Sequence, residues 1–128
     1  MSLEKNKALV HRVYELINRG ELDAFYELCA PGYVEHLTDR DMSLEQSKQF
    51  ETKFFADFPD INITINEMVA EGDRVAVLVT WRGVNKDTRK KIEMTNANIF
   101  RISAGRIMEG WNVTDIRLAQ QLGVIPKQ

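Results

Sequence analysis

The segment Ile61-Asn62-Ile63-Thr64-Ile65-Asn66 alternates apolar and polar residues with a period of two, the pattern of a β-strand with one buried and one wet face. The chain that follows keeps this character. Gly72-Asp73 separates the first strand from Arg74 to Val84, in which Val75, Val77, Val79 and Trp81 share one face and Ala76 and Leu78 the other. Lys90 to Ser103 reads as a third long strand, and Ala104-Gly105 turns it into a fourth, Arg106 to Val113. A closing helical turn leads toward Gln121-Leu122-Gly123.

Upstream of Ile61 the period is that of a helix. Between Leu3 and Arg19 the apolar residues Val10, Val13, Tyr14 and Ile17 follow i, i+3, i+4, i+7, and Gly20 supplies the left-handed stop. Glu21 to Cys29 repeats the spacing with Leu22, Phe25, Tyr26 and Cys29, before Pro31-Gly32 breaks it. Ser43-Leu44-Glu45-Gln46 has the S-x-x-Q form of a capping box, so Ser43 starts a third helix whose apolar face uses Phe50, Phe54 and Phe58, and Pro59-Asp60 ends it. Helices first and strands afterwards predict an α+β class. Long twisted antiparallel strands curl around whatever covers their concave side, so the expected architecture is a half-closed cone capped by the N-terminal helices, with a small-molecule pocket at its open end.

Size and charge narrow the function. A chain of 128 residues and 14.8 kDa fits one domain, residues 1–128, and it contains no internal repeat or linker-like stretch. Seventeen basic against nineteen acidic residues give a net charge of -2, with the basic ones scattered except for Arg89-Lys90-Lys91, which does not favour binding to nucleic acid. Cys29 is the only cysteine, which precludes an intrachain disulfide and points to a cytoplasmic setting. No run of apolar residues reaches the length of a membrane span, so no membrane association is expected.

Three groups of residues could carry chemistry. Asn96 and Asn98 interrupt the face formed by Ile92, Met94, Phe100 and Ile102; either they line a pocket or a β-bulge turns them outward. Trp111 and Asp115 have the same strand parity, and Asp115 stands where strand gives way to helix. At the mouth of an apolar cavity its carboxylate could move protons near neutral pH; alternatively it caps the last helix. His36, in Tyr33-Val34-Glu35-His36, follows a short extended segment and could act as acid, base or hydrogen-bond donor, or lie on the surface. His36 and His11 are far apart and form neither H-x-x-x-H nor H-x-H, so no metal site is expected. Phosphate-binding glycine loops, a G-x-S-x-G elbow and a Cys-His pair at recognised spacing are all missing from the sequence.

Further segments carry a resemblance: Gly20-Glu21-Leu22-Asp23, Ala30-Pro31-Gly32-Tyr33-Val34-Glu35-His36, Phe58-Pro59-Asp60, Ala70-Glu71-Gly72-Asp73-Arg74, Glu109-Gly110-Trp111 with Asp115, and Gln121-Leu122-Gly123-Val124-Ile125-Pro126. In this order and spacing the chain resembles the SnoaL-like polyketide cyclase and ester cyclase family, part of the wider NTF2-like group that includes ketosteroid isomerases. The resemblance implies an α+β cone, a homodimer formed through the sheet, and no metal or organic cofactor. It implies Asp115 as the general acid-base of an aldol ring closure and His36 as a pocket residue. Gly110 stands where a histidine is common and Asn98 where an acidic residue is common. The reading is an acid-base enzyme, a cyclase or isomerase, acting on a hydrophobic carbonyl compound. Asp115 and His36 are its catalytic candidates, and Tyr33, Phe54, Phe58, Trp81, Asn96, Asn98 and Trp111 its pocket candidates. The alternative is a non-catalytic binding or dimerisation module of the same fold.

Overall fold

The computed structural model describes residues 2–122. Helix α1 spans Leu3–Asn18, with Ser2 as its N-cap accepting from the Lys5 N–H, and places Val10, Val13, Tyr14 and Ile17 in the core. Gly20, at φ +74°, takes the left-handed conformation that ends it. Helix α2 covers Leu22–Glu27. Strand β1 is Cys29–His36 and β2 Asp41–Ser43, and α3 runs over Leu44–Asp57 behind the capping box of Ser43 and Gln46. Strands β3 (Asn62–Glu71), β4 (Arg74–Val84), β5 (Lys91–Ser103) and β6 (Arg106–Val113) form the meander, and α4 is Ile116–Gln121.

The six strands make one curved, open sheet in the order β2-β1-β6-β5-β4-β3. It is mixed, because β1 runs parallel to β6 while every other pair is antiparallel. Pro31-Gly32 does not break the chain as the sequence pattern suggests. Both residues lie within β1, where the register with β6 shifts between Cys29 and Val34, and this irregularity takes up the proline's missing N–H. The second helix therefore stops at Glu27, short of Cys29, and two strands, β1 and β2, precede the third helix.

The helices cover one face of the sheet. The largest core cluster joins α1 and α2 to Ile63, Val75, Val77, Val79, Phe100, Ile102 and Ile107. A smaller one gathers Phe54, Phe58, Ile61 and Ile92. Asn18 fixes the end of α1 to the start of β3, its side chain donating to the Ile63 carbonyl at 2.9 Å and accepting from the Ile63 N–H at 2.7 Å. Glycine at 83 lets β4 lie against the smaller cluster, since a Cβ there would meet Ile61 Cδ1 at 2.8 Å. No helix among the described residues is long and apolar enough to cross a membrane.

Candidate functional site

Between the helices and the covered face of the sheet lies a cavity of about 240 Å³. Its walls are mainly apolar and aromatic, with Tyr14, Phe25, Phe54 and Trp81 from four different elements. Apart from Asp39 and Arg40 of the loop after β1, two polar groups converge on it. The first is an amide network on β5 and β6. Asn96 Oδ1 accepts from the Trp81 indole N–H at 3.1 Å, and its Nδ2 donates to Thr114 Oγ1 at 3.0 Å. Thr114 donates to Asn112, and Asn98 Nδ2 reaches Asn96 Oδ1 at 3.5 Å, a long bond that a ligand could replace. The register of β4 with β5 is uninterrupted from Arg74↔Arg101 to Val84↔Lys91, so the strand alternation places Asn96 and Asn98 together on the cavity side.

The second polar group was not singled out in the sequence. Glu35 on β1 and Glu51 on α3 both line the cavity. Tyr26 donates to Glu51 Oε1 at 2.9 Å, and Tyr33 donates to Glu35 Oε1 at 3.2 Å. Neither carboxylate forms an ion pair among the described residues, so both keep the cost of leaving water. Burial, reinforced by the nearby charge of Glu35 and opposed by the Tyr26 hydrogen bond, pushes the Glu51 carboxyl up to about 8. Burial also raises Glu35, against the Tyr33 hydrogen bond. The Tyr14 hydroxyl, held against Asn98, is raised by its own burial and by the charge of Glu35.

Sequence signals for these carboxylates exist. Glu51 is three and four residues before Phe54 and Phe55, hence on their side of α3, and Glu35 shares strand parity with Tyr33. Gly110 belongs to the same arrangement. A Cβ at 110 would lie 3.2 Å from the Tyr33 hydroxyl, so glycine leaves room for the tyrosine that bonds Glu35.

Of the other candidates, Tyr33, Phe54 and Trp81 line the cavity, whereas Phe58, Trp111, His36 and Asp115 do not. Phe58 is buried in the smaller core cluster, because the last turn of α3 carries it past the cavity toward Ile61 and Ile92. Trp111 and His36 point to the outer face of the sheet, where their rings stack with centroids 5.1 Å apart. Asp115 is exposed and N-caps α4, accepting from the Leu118 N–H at 3.1 Å. Cys29 is buried, its thiol pushed up to about 12 chiefly by desolvation, which suits packing and not nucleophilic attack. No group of three or more potential metal ligands occurs among the described residues.

The sequence model of the SnoaL-like polyketide cyclase family matches residues 7–122. The chain belongs to this family. Among solved structures, a candidate hydroxylase from Streptomyces galilaeus, AclR, superposes with a TM-score of 0.88 at 24% identity, covering 98% of this chain and 100% of its own. IdmH from Streptomyces antibioticus, a candidate polyketide cyclase, has a TM-score of 0.80 at 27% identity, with 94% of this chain and 99% of its own covered. A de novo designed protein with a curved β-sheet reaches 0.76 at 15% identity, over 96% of this chain and 95% of its own. No curated protein matches the chain in sequence. A SnoaL-like fold that also serves a designed protein does not by itself specify a reaction, so the chemistry must be argued from the cavity.

Proposed function

We propose that the protein is a cofactor-independent acid-base enzyme that acts on a hydrophobic carbonyl compound held in the cavity, by aldol cyclisation or isomerisation. The observation that carries this reading is Glu51, a carboxyl raised to about 8 inside an apolar wall. Such a group holds its proton at neutral pH and is poised to give it up and take it back. Glu35, which accepts from the Tyr33 hydroxyl and whose charge is one of the causes that raise Glu51, is the base. It removes a proton from the carbon next to the carbonyl, while Glu51 and an Asn98 N–H stabilise the charge that develops on the oxygen. The resulting enolate either attacks a second carbonyl of the same molecule or is reprotonated one position along.

The test is hydrogen exchange next to the carbonyl of α-tetralone in D₂O, followed by NMR. Wild-type protein should accelerate it, and Glu51→Gln should lower the acceleration by about 10²- to 10³-fold. An unaccelerated wild-type reaction, with tetralone bound, would favour a binding module. A second reading leaves the proton with Asp115, as the family resemblance implies; in its favour, Thr114 and Ala119 on either side of it line the cavity. In that case Asp115→Asn, not Glu51→Gln, carries the loss.

The proposal includes a homodimer in the cytoplasm. Val69, Leu78, Ile99 and Val113 are exposed on the outer face of the sheet and form an apolar surface that a second copy would cover. The lone thiol of Cys29 fits a reducing compartment.

A further inference from the structure

The outer face carries a second constellation, on the opposite side of β1 from Glu35. His36 Nδ1 stands 2.8 Å from Asp41 Oδ1, and His36 Nε2 stands 2.7 Å from Glu109 Oε2. An ionised carboxylate only accepts, and a neutral imidazole donates from one nitrogen alone. Carboxylates on both ring nitrogens therefore call for the imidazolium, with a proton on each. Around this ring, Arg101 Nε donates to Glu109 Oε1 at 2.6 Å, Trp111 stacks on the imidazole, and the Arg74 guanidinium lies 4.8 Å over the Trp111 ring.

His36 and Asp41 face each other across the β1–β2 hairpin, and what lies between them belongs to the cavity. Leu37, Asp39 and Arg40 of the loop line it, as does Met42 of β2. This part of the wall is lightly held. Strand β2 has three residues and is the edge of the sheet, and its loop is closed by the Leu37 N–H donating to the Arg40 carbonyl at 2.7 Å. The cross-strand ion pair of His36 ties the hairpin, through Glu109, to β6.

We infer that His36 is a proton-operated latch on the cavity rim: as the imidazolium it clamps β2 and its loop to β6, and on losing its proton it releases Asp41 and loosens the rim. Asp41 is the contact that is lost. The neutral ring donates to one carboxylate only, and Asp41, 66% exposed against 23% for Glu109, is the one whose lost hydrogen bond water replaces at little cost. This inference goes beyond the proposed reaction and does not depend on it, because the latch acts on the rim whatever the cavity holds. His36 is in this role a positioning residue.

The charges around the ring favour the latched form. Glu109 from β6 and Asp41 from β2 touch it directly and raise His36 above its ordinary 6.5, the hydrogen bond that the ring donates to Glu109 having the larger effect. The cations, Arg101 on β5 and Arg74 on β4, act on it only through Glu109 and Trp111. A histidine raised on folding contributes its full stabilisation below its unfolded value and loses it as pH rises through the folded one. The rim should accordingly loosen on the alkaline side of 6.5.

The experiment follows two signals by NMR between about pH 5.5 and 9: the titration of the His36 ring and the hydrogen-exchange protection of the Leu37 amide, corrected for intrinsic exchange. The expected result is a His36 midpoint above 6.5, with Leu37 protection falling about five- to ten-fold through the same midpoint. An amide in the sheet interior, such as that of Val79, should not follow it. Asp41→Asn changes an exposed side chain and leaves the core alone; it should lower the His36 midpoint and flatten the pH dependence at Leu37. His36→Gln should show the low protection at every pH. A ring that titrates at or below 6.5, Leu37 protection that is constant through the titration, or an unchanged pH dependence in Asp41→Asn would each overturn the latch.

Discussion

Glu35 and Glu109 lie on neighbouring strands one position apart in register, with Val34 opposite Glu109 and Glu35 opposite Gly110, yet their surroundings shift their protons in opposite directions. Glu109 points to the outer face, where His36 first and Arg101 second hold its carboxyl below the ordinary carboxylate range. Glu35 points into the cavity, where burial raises it and a tyrosine is its hydrogen-bond partner. The side chains alternate, and the chemistry alternates with them. One face of β1 and β6 is a paired-ion surface, and the other is a mainly apolar wall that holds carboxyls with hydroxyl donors and no ion pair among the described residues. The same contrast separates Glu35 from its neighbour in sequence, His36.

The largest effect that distinguishes the faces is packing. Phe54→Ala removes a ring of the covered face that meets Phe50, Phe55, Phe58 and Trp81, and should cost about 3 kcal/mol or more of stability in urea unfolding. Val69→Ala, on the outer face and 64% exposed, should cost less than about 0.5 kcal/mol in a monomer. A larger loss at Val69 that depends on protein concentration would mean that a second copy covers the outer face.

The next effect is in the pH dependence of stability. A carboxyl raised from 4.5 to about 8 on folding binds a proton that the unfolded chain has already lost, so folding weakens as pH rises through that window. The slope from Glu51 alone should approach about 1.4 kcal/mol per pH unit near pH 6, and Glu51→Gln should remove that part and leave what the raised Glu35 contributes. Glu109 has the opposite sign. Its lowered carboxyl contributes stability above the unfolded value near 4.5, and this is lost as pH falls through the folded value, so Glu109→Gln should be penalised at neutral pH and not in acid.

A smaller effect tests the tight fit behind Glu35. Gly110→Ala presses a methyl group against the Tyr33 hydroxyl, at a cost of about 1 to 3 kcal/mol. If the tyrosine swings away, Glu35 loses its donor and its carboxyl should rise further. The smallest is Asp115→Ala, which removes the N-cap of α4 and should cost about 1 kcal/mol.

Much of this architecture is legible in the sequence, because period-two alternation from Ile61 onward and helical spacing before it are strong signals. The amides are legible for the same reason, since Asn96 and Asn98 break an apolar row of known parity. Strand β1 is harder to read. Pro31-Gly32 looks like an end, and only the pairing with β6, distant in sequence, converts it into an irregularity within a strand. With β1 hidden, the parity that separates Glu35 from His36 is hidden too. Glu51 looks like an ordinary polar residue of a surface helix until the sheet supplies the wall opposite it. Asp115 has both a cap's position and a mouth's position in sequence, and its bond to the Leu118 N–H is a matter of three-dimensional detail.

Whether the inner face holds a pair of carboxyls without a cation partner is read from the titration of Glu51, followed through its side-chain carboxyl carbon by NMR in wild type and in Glu35→Gln. The midpoint should lie near 8 in wild type and lower when the neighbouring charge is removed. A midpoint near 4.5 that Glu35→Gln leaves unchanged would contradict this, and would mean that water or a cation reaches the carboxyls and relieves the cost of their burial.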